Sequence, residues 1–242
     1  MLHQFTNREI SLNLWQNILM KKYYSLALII LTAAVFNVPI KSQFFNAKPL
    51  FEKYANSAIN EATLVERQGL KYQVNTSKPF SGNFMGFDDE YGFCVNKAGS
   101  YKNGLLHGQY EEYDGCGVAY SLKTKYKNGS ENGRYEGYEE GYLIVEGNVV
   151  NDKLEGEWIS YDYGQISYKE YFKKDVLLSF EEFSYYDSGQ LEFMKTYNGE
   201  ELQHGITETY HPNGQLKSKA KYNNGNLTEI IEQYDFNGNP LN

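Results

Sequence analysis

Along most of the chain, aromatic and polar residues alternate in short runs broken by Gly, Asn and Asp. Gln109-Tyr110-Glu111-Glu112-Tyr113 is typical. Alternation with a period of two marks strands with one face turned inward. The breaks carry turn chemistry. In His211-Pro212-Asn213-Gly214, Pro presets one dihedral and Asn-Gly tolerates positive φ, and Asn224-Gly225 repeats the signal after the next run.

These runs are registered. Tyr113, Tyr138, Tyr161, Tyr185, Tyr210 and Tyr234 recur at spacings of 25, 23, 24, 25 and 24. Five residues before four of them stand Gly108, Gly133, Gly156 and Gly205, with Phe180 in that place before Tyr185. Gly117, Gly141, Gly164, Gly189, Gly214 and Gly238 follow the tyrosines. A second apolar column, Tyr101, Tyr126, Val149, Phe172, Tyr197 and Tyr222, is followed by the turn residues Gly104, Gly129, Asp152, Asp175, Glu200 and Gly225. Two strands in each unit leave no room for a helix of ordinary length. The expectation is an all-β fold: an elongated, single-layer antiparallel meander of consecutive β-hairpin repeats. Successive Tyr columns would lie roughly 10 Å apart, and stability would pass from neighbour to neighbour.

The segment Tyr-His-Pro-Asn-Gly-Gln-Leu-Lys-Ser-Lys-Ala-Lys-Tyr-Asn-Asn-Gly, residues 210–225, resembles a MORN-type repeat of the bacterial variant. Arg67-Gln68-Gly69-Leu70-Lys71-Tyr72 and Pro79-Phe80-Ser81-Gly82 are similar to the lead-in that precedes such arrays. The resemblance covers residues 64–242. It implies a non-enzymatic repeat protein, and relatives of this kind carry the label of YwqK-family antitoxins. Two features depart from the pattern. The units at 133–155 and 156–178 lack the second Asn-Gly, and Phe180 replaces a repeat Gly, so the middle of the array is expected to bend or to present a distinct surface.

Ahead of the array, Phe51, Tyr54, Ala55, Ala58, Ile59 and Ala62 fall at helical spacing. Residues 43–63 are therefore expected to form a short helical or linker cap over the edge of the first hairpin. Further upstream, Met20-Lys21-Lys22 precedes an apolar run from Leu26 to Val38, interrupted by Pro39. A short basic segment before a short apolar one is the organisation of a signal peptide, here residues 20–42 with cleavage near Ser42/Gln43. Residues 1–19 read as an upstream extension. The alternative is an N-terminal membrane anchor, against which the shortness of the apolar run argues. The expected location is the periplasm, cell envelope or extracellular space.

Composition sharpens this picture. Tyr 23, Phe 14 and Gly 22 against Pro 5 favour pleated strands and tight turns. The net charge is −8, and residues 43–242 carry 19 basic and 30 acidic side chains. Such a surface repels phosphate backbones and anionic lipid, so neither nucleic acid nor stable membrane insertion of the mature chain is expected.

Candidate chemistry is sparse. His107 and His204 precede repeat glycines at a tolerant polar turn position, and no His, Cys or carboxylate spacing matches a metal site, so neither metal nor cofactor is expected. Glu111, Glu136, Glu208 and Glu232 share one repeat position, two before the column Tyr. Their first reading is a solvated strand face, and their second an acidic binding stripe. Tyr110, Tyr135 and Trp158 form another column, read first as sheet packing and second as an aromatic face for a protein or glycan. Cys94 and Cys116 lie near equivalent turns of neighbouring units. In an exported protein they could pair as a disulfide, the alternative being two unrelated thiols. The leading functional expectation is an interaction or structural module for an unidentified protein partner. The alternatives are an antitoxin-like inhibitor and an envelope-surface or glycan-binding protein.

Overall fold

A computed structural model describes residues 49–88 and 94–241. The signal-peptide, cleavage-site and upstream-extension readings lie outside the described residues. After a short helix at Leu50–Tyr54, the strands are β1 (Ile59–Asn60), β2 (Leu64–Arg67), β3 (Leu70–Gln73), β4 (Gly82–Phe87), β5 (Val95–Lys102), β6 (Leu105–Leu106), β7 (Gly108–Asp114), β8 (Ala119–Lys127) and β9 (Ser130–Glu139). They continue as β10 (Tyr142–Val150), β11 (Leu154–Asp162), β12 (Gln165–Lys173), β13 (Val176–Tyr185), β14 (Leu191–Asn198), β15 (Gln203–Tyr210), β16 (Leu216–Asn223) and β17 (Asn226–Gln233).

From β4 onward each strand pairs antiparallel with the next in sequence, apart from the short β6, which pairs β5 beside β7. The result is one long antiparallel sheet of consecutive hairpins, as the alternation and the registered columns predict. Two kinds of turn recur among them. Asn103-Gly104, Asn128-Gly129 and Asn224-Gly225 each place two successive residues at positive φ, the requirement of a two-residue type I′ hairpin. The loops at 186–190, 211–215 and 235–239 place only Gly189, Gly214 and Gly238 there.

The two middle units solve the missing Asn-Gly differently. Asp152 and Asp175 themselves take the left-handed conformation, at φ 62 and 69. Each then grips the preceding hairpin twice. The Asp152 amide donates to the Glu131 carbonyl while its carboxylate accepts from the Glu131 amide at 2.7 Å, and Asp175 does the same with Leu154. Asp is among the few non-Gly residues that visit this conformation, and here the bonds to the preceding hairpin hold it there.

One regularity carries no residue signature. Every hairpin closed by a Tyr-column turn shifts register beside that Tyr, at Tyr113, Tyr138, Tyr161, Tyr185 and Tyr210. A bulge at the same place in each unit bends the strand and increases its twist.

The N-terminal segment departs from expectation in two respects. The helix spans only five residues, and Ile59 belongs to a strand. The first edge is covered by β1, which pairs parallel with β4. The helix instead packs on one face of the sheet, where Leu50 and Phe51 meet Ala98 and Tyr113. The lead-in also stands apart. β2 and β3 form their own two-stranded sheet, with Leu64 packed against Phe84 and Tyr101. Because Phe84 and Met85 lie across from Gly99 and Ala98, these two clusters occupy opposite faces. The first hairpins are thus enclosed on both faces and along one edge, whereas every residue of β17 is exposed.

Candidate functional site

The sequence singles out two columns, and period-two alternation sends them to opposite faces. Tyr110, Tyr135 and Trp158 belong to one face. There the rings alternate with small residues on adjacent strands: Phe84 across from Gly99, Tyr110 from Thr124, Tyr135 from Gly147. Tyr110 lies edge-on to Tyr126 at 5.5 Å, and Tyr135 meets Trp158 at 5.3 Å. Trp158 is 7% exposed, its ring lies over Gly147, and its Nε1 donates to the Asn148 carbonyl at 3.2 Å. These rings pack on one another and on the small residues between them, and at Trp158 little ring surface is left exposed.

Phe180 continues the column. It stacks on Tyr197 with centroids 4.5 Å apart and planes 7° apart. Between Trp158 and Phe180 stands Glu170, in register with both. Burial pushes its carboxyl above the usual glutamate range.

The opposite face carries the glutamates. Glu111 is 9% exposed, accepting from the Leu50 amide at 2.9 Å and from the Tyr113 hydroxyl at 2.6 Å. Neither a solvated nor a binding role suits it, because the N-terminal helix lies over it. Glu136 and Glu208 also accept from the Tyr two residues on, at 2.7 and 2.8 Å, and Glu232 does so from Tyr234 at 3.3 Å. Side chains at i and i+2 of a strand share a face, so the Glu-x-Tyr spacing makes this bond possible in each unit.

Sequence reasoning missed the bases between these acids. Lys123 lies across from both Glu111 and Glu136, and Lys219 from both Glu208 and Glu232. Arg134 bonds Glu136 at 2.8 Å and also pairs with Glu146. Lys219 reaches Glu208 at 2.9 Å and, with the Tyr210 hydroxyl, holds that carboxyl below the usual range. Lys123 lies over the rings of Tyr120 and Tyr138 at 3.6 and 5.3 Å. Around Lys123 and Lys219 the acidic stripe is therefore a charge-alternating ladder, whereas Glu136 faces Glu146 on its other side. Lys123 follows Glu111 by twelve residues and Lys219 follows Glu208 by eleven, a spacing visible in the sequence.

The tyrosine hydroxyls are the groups most perturbed. Burial, followed by the bond to Glu208, pushes Tyr210 up to about 12, and burial with nearby carboxylates does the same for Tyr120 and Tyr126. Tyr113 and Tyr138 are raised further for the same two causes. They remain protonated donors throughout the neutral range.

Cys94 and Cys116 are joined in a disulfide that closes 22 residues and ties the start of β5 to the β7–β8 turn. The histidines hold turns. His107 Nδ1 accepts from the Asn128 amide, and His211 Nε2 meets the Tyr234 carbonyl at 3.1 Å. Among the described residues, no three His, Cys, Asp or Glu side chains converge as metal ligands, and no helix is long and apolar enough to cross a membrane.

No protein-family model matches the chain, and no curated protein matches its sequence.

Proposed function

We propose that the chain is an exported, non-enzymatic interaction module of the MORN type, which engages a protein partner through its repeat sheet. The observation that carries this reading is a regular row of exposed apolar side chains. Val118, Tyr142 and Tyr163 sit at three successive turns on one end of the sheet, 86%, 65% and 83% exposed. At the other end, Val150, Val176, Leu202 and Leu227 flank successive turns and are also exposed. A row repeated at strand spacing offers many weak contacts in register, which suits an extended protein surface. Export is supported by the Met20–Val38 pattern and by a disulfide of the kind that persists in oxidising compartments.

Capture of the tagged chain from the envelope and secreted fractions of its source, read by mass spectrometry, tests the reading. One dominant partner retained at high salt, and lost when Tyr142 and Tyr163 are changed to Ser, is the expected result. Retention of nothing above background sinks it. Amino-terminal sequencing of the exported chain is expected to begin at Gln43, and an intact Met1 or Met20 terminus would refute cleavage.

A further inference from the structure

The two edges of the sheet are built differently. The β4 edge is covered by β1, while β17 is paired only on its inner side, with β16, over most of its length. Past the turn at 235–239 the chain comes back against β17 only at its end, where Leu241 donates to the Gln233 carbonyl at 2.8 Å and Tyr234 bridges Pro240. Among the described residues no strand lies along the rest of its outer side.

The ladder says what would complete it. In two of the hairpins closed by a Tyr-column turn, the returning strand sets a lysine across from the glutamate two before that Tyr, Lys123 from Glu111 and Lys219 from Glu208. In the one hairpin where Glu136 faces Glu146 instead, Arg134 bonds both. β17 carries Glu232 at the same repeat position, two before Tyr234, together with Glu229 across from Lys221. Its inner neighbour Lys219 already lies on Glu208 at 2.9 Å. Leu227 and Ile230 add exposed apolar surface across from Tyr222 and Ala220.

We propose that the outer edge of β17 is a strand-addition site for an extended segment of another protein bearing lysine or arginine at alternate positions. Backbone hydrogen bonds to the open edge supply the attachment, and the bases facing Glu229 and Glu232 supply the selection. A second copy of the chain is a poor occupant. β17 reads Asn-Leu-Thr-Glu-Ile-Ile-Glu-Gln, with two acids and no base, so self-pairing brings like charges together. The site is a specific form of the interaction role proposed above and rests on it.

The probe is the peptide Gln-Leu-Lys-Ser-Lys-Ala-Lys-Tyr-Asn, residues 215–223, labelled and titrated with the full chain. Saturable binding is expected. It should weaken at least about fivefold in the Glu229→Lys/Glu232→Lys double variant. That variant should instead bind the peptide with its three lysines changed to glutamate. N-methylation of alternate peptide amides should abolish binding while leaving every charge in place. Both substitutions are exposed, and an unchanged melting temperature confirms folding. Absence of saturable binding, equal binding by the double variant, or equal binding of the N-methylated peptide overturns the proposal. A concentration-dependent dimer lost in the double variant assigns the edge to self-pairing and also overturns it. Repeating the partner capture with the double variant separates the two readings. A partner still retained there leaves the module standing without this edge.

Discussion

Two glycines of the array do opposite jobs. Gly147 provides room: a Cβ there would lie 2.2 Å from the Trp158 ring, so even alanine must displace a packed indole. Gly156 has nothing within 4 Å of that position but holds φ +75. Gly147→Ala is expected to destabilise by about 1–3 kcal/mol through overpacking. Gly156→Ala should destabilise by about 1–2 kcal/mol through backbone strain alone. Urea midpoints measure both, and a larger urea gap at Gly156 than at Gly147 would contradict the assignment. Glu170 is the reverse case, a carboxyl in a column otherwise occupied by Gly99, Thr124 and Gly147. Its folded pKa is raised by burial, so its charged form opposes folding: stability is greatest below the unfolded carboxylate pKa and declines as pH rises through the folded one. Glu170→Gln should therefore raise neutral-pH stability by about 1 kcal/mol and change little at pH 4. An equal gain at both pH values would argue against burial as the cause.

At the scale of the hairpin, the cross-strand pair is the unit. Glu208 and Lys219 face one another, and Glu208 has its pKa lowered first by Lys219 and then by Tyr210. A depressed carboxylate contributes stability above its unfolded pKa, and this is lost as pH falls through the folded value. Glu208→Lys should destabilise at neutral pH, and the double exchange Glu208→Lys/Lys219→Glu should recover part of the loss. A small favourable coupling is expected from a double-mutant cycle, since the pair is open to solvent and screened by it. A coupling of zero would show that the ladder orders the face without stabilising it. The repeat was legible at this scale because turn residues and tyrosines mark each hairpin. The Lys partners are less legible, because a recurring residue type marks one face of a strand and not the residue that faces it across the hairpin. The bulges were not legible: the skipped residue is of no fixed type, and only the partner strand defines it.

At the scale of the whole sheet, burial declines from the enclosed first hairpins towards β17, and the tyrosines bind the array together. Their hydroxyls have raised pKa values in the folded state, about 12 at Tyr120, Tyr126 and Tyr210 against an ordinary value of 10.0. A raised acid contributes stability that is complete below the unfolded pKa and lost as pH rises through the folded one. Unfolding is therefore expected to set in between about pH 10 and pH 12, and tyrosinate absorbance should rise together with loss of strand signal in circular dichroism. Ionisation that precedes unfolding by a full pH unit would show that the hydroxyls are not held by the fold.

The fold class followed from the sequence alone, because alternation, turn residues and a repeated Tyr position are local properties that the backbone reads directly. What the tertiary structure decided is non-local. It set which strand covers the first edge, moved the short helix from an edge to a face over Glu111, separated the β2–β3 hairpin from the meander, and placed Lys123 and Lys219 between glutamates of the acidic stripe. It also paired Cys94 with Cys116, which spacing left open. Each of these depends on residues distant in sequence coming within reach, and a column of residue types specifies the face of a strand but not its neighbour.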